Sequence, residues 1–255
     1  MTTTTFPAPA GMRRSALDRA TAMRLAATEY TRVHDAAAEL GAEDWSKPTD
    51  CTEWTVHQMI SHVVGMAAMA ASPRENLRQN RIANKRPNGE ARMIDALTGL
   101  QVREFGTRSP EELVAMLAEL GPRAAKTRRR TPALLRALPM PGTQVVNGYA
   151  EKWSFGYLLD VILTRDPWMH RVDLARATGR EFTTTAEHDG VLVDDVVHEW
   201  AQRHGRPYRL TLTGPAGGAW TNGEAEPLEL DAIEFCRTLS GRADGTGLLA
   251  TEVPF

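Results

Sequence analysis

Cysteine is scarce in this chain: among 255 residues only Cys51 and Cys236 occur, far apart and in no C-x-x-C spacing. That argues against a disulfide framework or a thiolate zinc site and fits a reducing cytoplasm. No apolar run reaches the length of a membrane span, because the apolar stretch Met59 to Pro73 is too short and carries His62 in its interior. The first residues have no basic segment ahead of an apolar core, so residues 1–14 read as a frayed tail rather than a secretory signal. Excess charge is missing as well. Thirty Lys+Arg against thirty-two Asp+Glu leave a net charge of −2, so no global field draws in nucleic acid or an anionic membrane. The G-x-S-x-G, Walker and dinucleotide-binding glycine patterns are absent, which removes support for hydrolase-elbow and nucleotide readings.

What is there is an ordinary globular composition, 42% hydrophobic and 24% charged, at a length that suits one large or two modest domains. Helical periodicity and capping residues predict helices over about 15–40, 55–71, 109–130, 154–177 and 186–204, with a further apolar pattern at Met93, Leu97 and Leu100. Residues 131–152, rich in Pro and Gly, read as a long connection. After Gly205 the period changes: Tyr208 to Gly214 alternates as a strand, and Asp231 to Leu239 is a short capped helix. The expected fold is mostly α, an N-terminal helical bundle over 15–182 followed by a small α+β domain over 183–255.

Within the fourth strong helix, Asp166 and His170 are four apart and therefore about 40° apart on one face, and both interrupt the apolar stripe, so they point inward. On the second helix His62 falls on the buried face between Met59 and Met66, whereas His57 is rotated away. A carboxylate buried without a partner is costly, and two imidazoles with one carboxylate from facing helices suit zinc or another divalent ion. Asp173 is placed to accept from the His170 ring or to pair with Arg176. The same residues also fit a core hydrogen-bond network or a helical ion pair without metal. Cys51 lies in the loop before the second helix and reads first as a structural cysteine. The basic run Lys126 to Arg130 reads as a solvated helix end, and His204, ahead of Gly205, as a partner of the helix dipole.

Two segments together resemble a known pattern: Asp44-Trp45, Pro48-Thr49, Cys51, Trp54-Thr55-Val56 and His62, then Thr164-Arg-Asp-Pro-Trp-Met-His-Arg-Val-Asp173 and Ala177-Thr-Gly179. They resemble the mycothiol-dependent maleylpyruvate isomerase family within the DinB-like metal-dependent superfamily, from about residue 15 onward. The resemblance implies a DinB-like four-helix bundle holding a divalent metal, usually zinc, through His62, Asp166 and His170. Asp166 stands where the better-known isomerase carries the longer Glu. It further implies a sterol-carrier-like C-terminal α+β domain supplying an arginine near the active site, for which Arg242 is the candidate, with mycothiol as thiol cosubstrate. The implied chemistry is attack of a metal-bound thiolate on a small electrophilic substrate, as an isomerase or as an S-transferase. The alternative is a non-catalytic small-ligand-binding or interaction protein on the same fold. The expected protein is cytoplasmic, a monomer or homodimer, without nucleic-acid or membrane partners.

Overall fold

The computed structural model describes residues 11–51, 53–86, 88–89 and 92–255. Its first half contains β1 (Met12–Arg13), α1 (Arg19–Ala38), α2 (Val56–Ala71), α3 (Pro73–Ala83), α4 (Met93–Phe105) and α5 (Pro110–Arg130). Then come α6 (Ala133–Ala137), β2 (Gln144–Val146), β3 (Tyr149–Trp153), α7 (Phe155–Tyr157) and α8 (Leu163–Thr178). The last part holds α9 (Val191–His204), β4 (Tyr208–Thr213), β5 (Gly218–Asn222), β6 (Pro227–Asp231) and α10 (Ala232–Leu239).

Side-chain caps set the helix starts. Thr55 and Ser109 each close a capping box, with Gln58 and Glu112, and Ser72 accepts from the Glu75 N–H. Where the sequence suggests one helix between residues 72 and 108, there are two, α3 and α4. The expected connection 131–152 holds α6 and a β2–β3 hairpin instead. Its turn is Asn147-Gly148, both at positive φ (52° and 77°), the conformation a tight two-residue hairpin loop demands.

Contacts divide the chain into two units, neither continuous in sequence. The bundle unit comprises Arg19–Pro132 and Asp166–Phe182. The other comprises the residues up to Asp18, Ala133–Arg165 and Thr183–Phe255. One unit boundary falls at Thr183, and 133–165 groups with the C-terminal residues. Of the expected tail, residues 1–10 lie outside the described residues. Met12 and Arg13 are not frayed, because they add in parallel to Lys152 and Trp153 of β3, which occupies backbone groups that an open strand edge leaves unpaired.

In the bundle unit, α2 packs against α4 and α5, and α5 against α1. One core joins Val33 of α1, Met59, Ile60 and Val63 of α2, Leu113 and Leu117 of α5 and Leu174 of α8, which makes these four helices a bundle. Each such large apolar side chain contributes roughly 1.5–3 kcal/mol on burial. The basic run at the end of α5 is not uniformly solvated: Arg128 is buried, its guanidinium 5.7 Å from the Tyr30 ring.

In the other unit, β3 lies between β1 and β2, and β4 between β5 and β6. Along β4 burial alternates as the sequence predicts. Trp200 of α9 meets Tyr208 and Phe235 edge-on at 5.1 and 5.4 Å. Arg165 is completely buried there and donates to Asp195 at 2.6 Å and Glu199 at 2.8 Å.

Candidate functional site

Helix α8 is entered through a π turn at Leu158–Ile162. Pro167, four residues after Leu163, has no N–H for the helical bond and its ring crowds the carbonyl one turn back, so the wide turn immediately upstream gives the helix room to continue. Asp166 and His170 therefore stay one turn apart on an unbroken helix. On the facing helix, α2, His62 is buried.

These three side chains meet. Asp166 Oδ1 lies 3.2 Å from His62 Nε2 and 3.5 Å from His170 Nε2, and the two imidazole rings stand edge to face, 5.2 Å apart. Their candidate ligand atoms fall within 4.8 Å of one another. Asp166 Oδ2 is buried and accepts no hydrogen bond. Trp54 leans over both rings, at 5.1 Å from His62 and 6.2 Å from His170. A tight loop holds it: Thr49 N–H donates to the Trp54 carbonyl and Trp54 N–H to Cys51 O.

The far side of each ring is also held. His170 Nδ1 is 3.0 Å from Asp173 Oδ2, and Cys51 Sγ is 3.5 Å from the same oxygen. An ionised carboxylate only accepts, so both the imidazole Nδ1–H and the thiol donate to it. His62 Nδ1 is 2.8 Å from Gln101 Oε1, likewise an acceptor. Both Nε2 atoms are thereby left to face Asp166. Two imidazole lone pairs and a carboxylate aimed at one buried point repel one another unless a positive charge sits among them, either ring protons or a metal ion. The electrostatics carry that demand. Burial opposes ionisation of Asp166, but His62 and His170 outweigh it and hold the carboxyl well below its usual range. Burial likewise opposes charge on His170, and Asp166 and Asp173 overcome it, raising its pKa well above the ordinary value.

The donor set, two imidazole nitrogens and a carboxylate, with an outer acceptor on each ring, suits a zinc-type divalent ion. The orphaned Asp166 Oδ2 is the atom such an ion leaves least explained without it.

Sequence reasoning brings His62, Asp166, His170 and Asp173 to this place and turns His57 away, to the Arg108 carbonyl at 2.9 Å. Arg176 pairs with Asp50. Cys51 comes closer than its reading as a structural cysteine suggests. Arg242 belongs to the other unit, after α10, where its N–H donates to Arg237 O. Gln101 and Gln79 join the site without a motif to mark them, although a glutamine on the apolar stripe of α4, four residues after Leu97, is a visible signal.

No curated protein matches the chain. Among solved structures, the crystal structure of the mycothiol-dependent maleylpyruvate isomerase is similar at 18% identity and a TM-score of 0.57, covering 93% of this chain and 95% of that one. A mutant of that isomerase matches at 17% identity with the same TM-score and coverage. At such identities the likeness shows a shared fold. The family model described as the mycothiol maleylpyruvate isomerase N-terminal domain matches residues 26–175, more than half of the sequence. The chain belongs to the mycothiol maleylpyruvate isomerase N-terminal domain family.

Proposed function

We propose that the protein is a divalent-metal-dependent, mycothiol-using enzyme, an isomerase or S-transferase acting on a small electrophile. The observation that carries this reading is the convergence of His62 Nε2, His170 Nε2 and Asp166 on one buried point, with Asp166 Oδ2 left without a hydrogen bond. His62, Asp166 and His170 would hold the ion, most simply zinc. A divalent ion there supplies positive charge that keeps a bound thiol in its thiolate form at neutral pH.

The chain's own groups do the rest. Asp173 orients His170, and Gln101 orients His62, so that each presents Nε2. Trp54 covers both rings and lowers the local polarity, which strengthens every charge interaction beneath it. The role that the resemblance gives Arg242, pairing with a substrate carboxylate, is part of the proposal. Arg242→Ala is expected to raise KM for carboxylate-bearing electrophiles and to leave KM for uncharged ones unchanged.

Elemental analysis of the purified protein tests the centre. About one zinc or similar ion per chain is expected, and its loss in both His62→Ala and His170→Ala. Full metal content in both variants would remove the assignment. Metal binding with no thermal shift on adding mycothiol would leave a metal-binding protein and discard the thiol chemistry.

A further inference from the structure

Behind His62 runs a chain of side-chain amides whose direction the structure fixes. It starts at Glu75, which Arg78 grips at 2.8 Å through Nε and 2.6 Å through Nη2. That guanidinium holds the Glu75 carboxyl below its usual pKa, so it is an obligate acceptor. Gln79 Nε2 lies 2.9 Å from Glu75 Oε1 and 3.2 Å from the Gly65 carbonyl, both acceptors, so the nitrogen of this amide must face them. Its oxygen then faces Gln101, whose Nε2 donates to it at 2.8 Å. The Gln101 oxygen in turn faces His62 Nδ1 at 2.8 Å. Gln79 and Gln101 are both fully buried, so solvent does not compete for these partners.

We infer that Gln101 and Gln79 are positioning residues: a one-way relay from Glu75 that fixes the proton of His62 on Nδ1 and thereby presents its Nε2 lone pair at Asp166. A neutral imidazole carries one N–H and one lone pair, so where the first is fixed the second follows. Reversing Gln79 would set oxygen against oxygen at Glu75 and at Gly65, and reversing Gln101 would set its oxygen against that of Gln79, which gives the relay one stable sense. Gly65 makes room for it: a Cβ at that position would lie 2.6 Å from Gln101 Cβ and Cγ, inside any tolerable contact. The relay differs in kind from the support of His170, where a single carboxylate, Asp173, acts directly.

This inference rests on the metal reading above, and the experiment keeps the two apart. Gln79 hydrogen-bonds to Glu75, Gly65 and Gln101, and so one step behind His62; Gln79→Leu therefore probes action at one remove, and Gln79→Met, closer in length, serves if the leucine variant does not fold. Zinc affinity of the full-length chain is measured by competition with a chromophoric chelator. The imidazole Nδ1–H resonances of His62 and His170 are followed in the same samples, the former assigned by its loss in His62→Ala. The expected result is a roughly 10–100-fold loss of zinc affinity, with the His62 Nδ1–H resonance displaced and that of His170 in place. Zinc affinity within twofold of the parent and both resonances unmoved would overturn the relay, and so would equal displacement of both, which marks general loosening. Absence of zinc binding in the parent protein would sink the metal reading instead, while the His62 resonance still reports on the relay.

Discussion

Asp173 accepts from two donors at once, the His170 ring and the Cys51 thiol, and lies completely buried between them. Its truncation strands both. Asp173→Ala is expected to lower zinc affinity roughly 10–100-fold while His62 keeps its own support, checked by the same chelator competition; unchanged affinity would mean that His170 orients itself. His204 shows the opposite kind of environment. From its place ahead of Gly205 a charged partner for the helix end is expected, yet the ring is buried against Trp200 at 4.3 Å, and its Nδ1 accepts from the Arg206 N–H. Burial, with Arg206 nearby, lowers its pKa from 6.5 to about 4. The unfolded chain therefore takes up this proton first. Stability from the neutral ring is present above the ordinary value and is lost as pH falls toward the folded one, by about 2 kcal/mol near pH 5. Urea midpoints at about pH 7.5 and pH 5 should fall further apart in the parent than in His204→Asn; equal drops would refute the assignment.

Helices were legible wherever an apolar period and a cap coincide, as at Thr55 and Ser109, and this also exposed Asp166, His170 and His62 as polar breaks in buried stripes. The relay was not, because its members sit on α2, α3 and α4 and only packing brings them together. In the β2–β3 hairpin, Asn147-Gly148 between Val146 and Tyr149 is a direct turn signal, but the neighbouring prolines mask it by favouring irregular chain. Arg165 illustrates the limit of pattern alone: it is completely buried, and the partners that satisfy its charge lie thirty and more residues away. At the level of one helix, Gly65 gives the clearest test. Elsewhere Gly→Ala inside a helix gains stability by about 0.5–1 kcal/mol. Here Gly65→Ala is expected to destabilise the protein and weaken zinc binding, since the new methyl group displaces Gln101. A stabilised variant with full affinity would contradict the close approach.

At the scale of the whole molecule, Ala133–Arg165 and Thr183–Phe255 fall in one unit, so a cut at residue 182 would divide it. A chain ending at Phe182 keeps 133–165 but loses Asp195 and Glu199, the partners of Arg165, and Glu199 is also the acceptor for the Tyr157 hydroxyl. It is expected to melt well below the full chain or to aggregate, as followed by circular dichroism; an equal melting temperature would show that the first 182 residues are self-sufficient. The interleaving also orders events during synthesis. The nascent chain delivers α1, α2 and α5 early, with a gap where α8 belongs, so a ribosome must finish more than thirty further residues before that vacancy is filled and the second imidazole arrives. Until then His62 has neither Asp166 nor His170 to face, so this convergence of side chains exists only after residue 170 has been made.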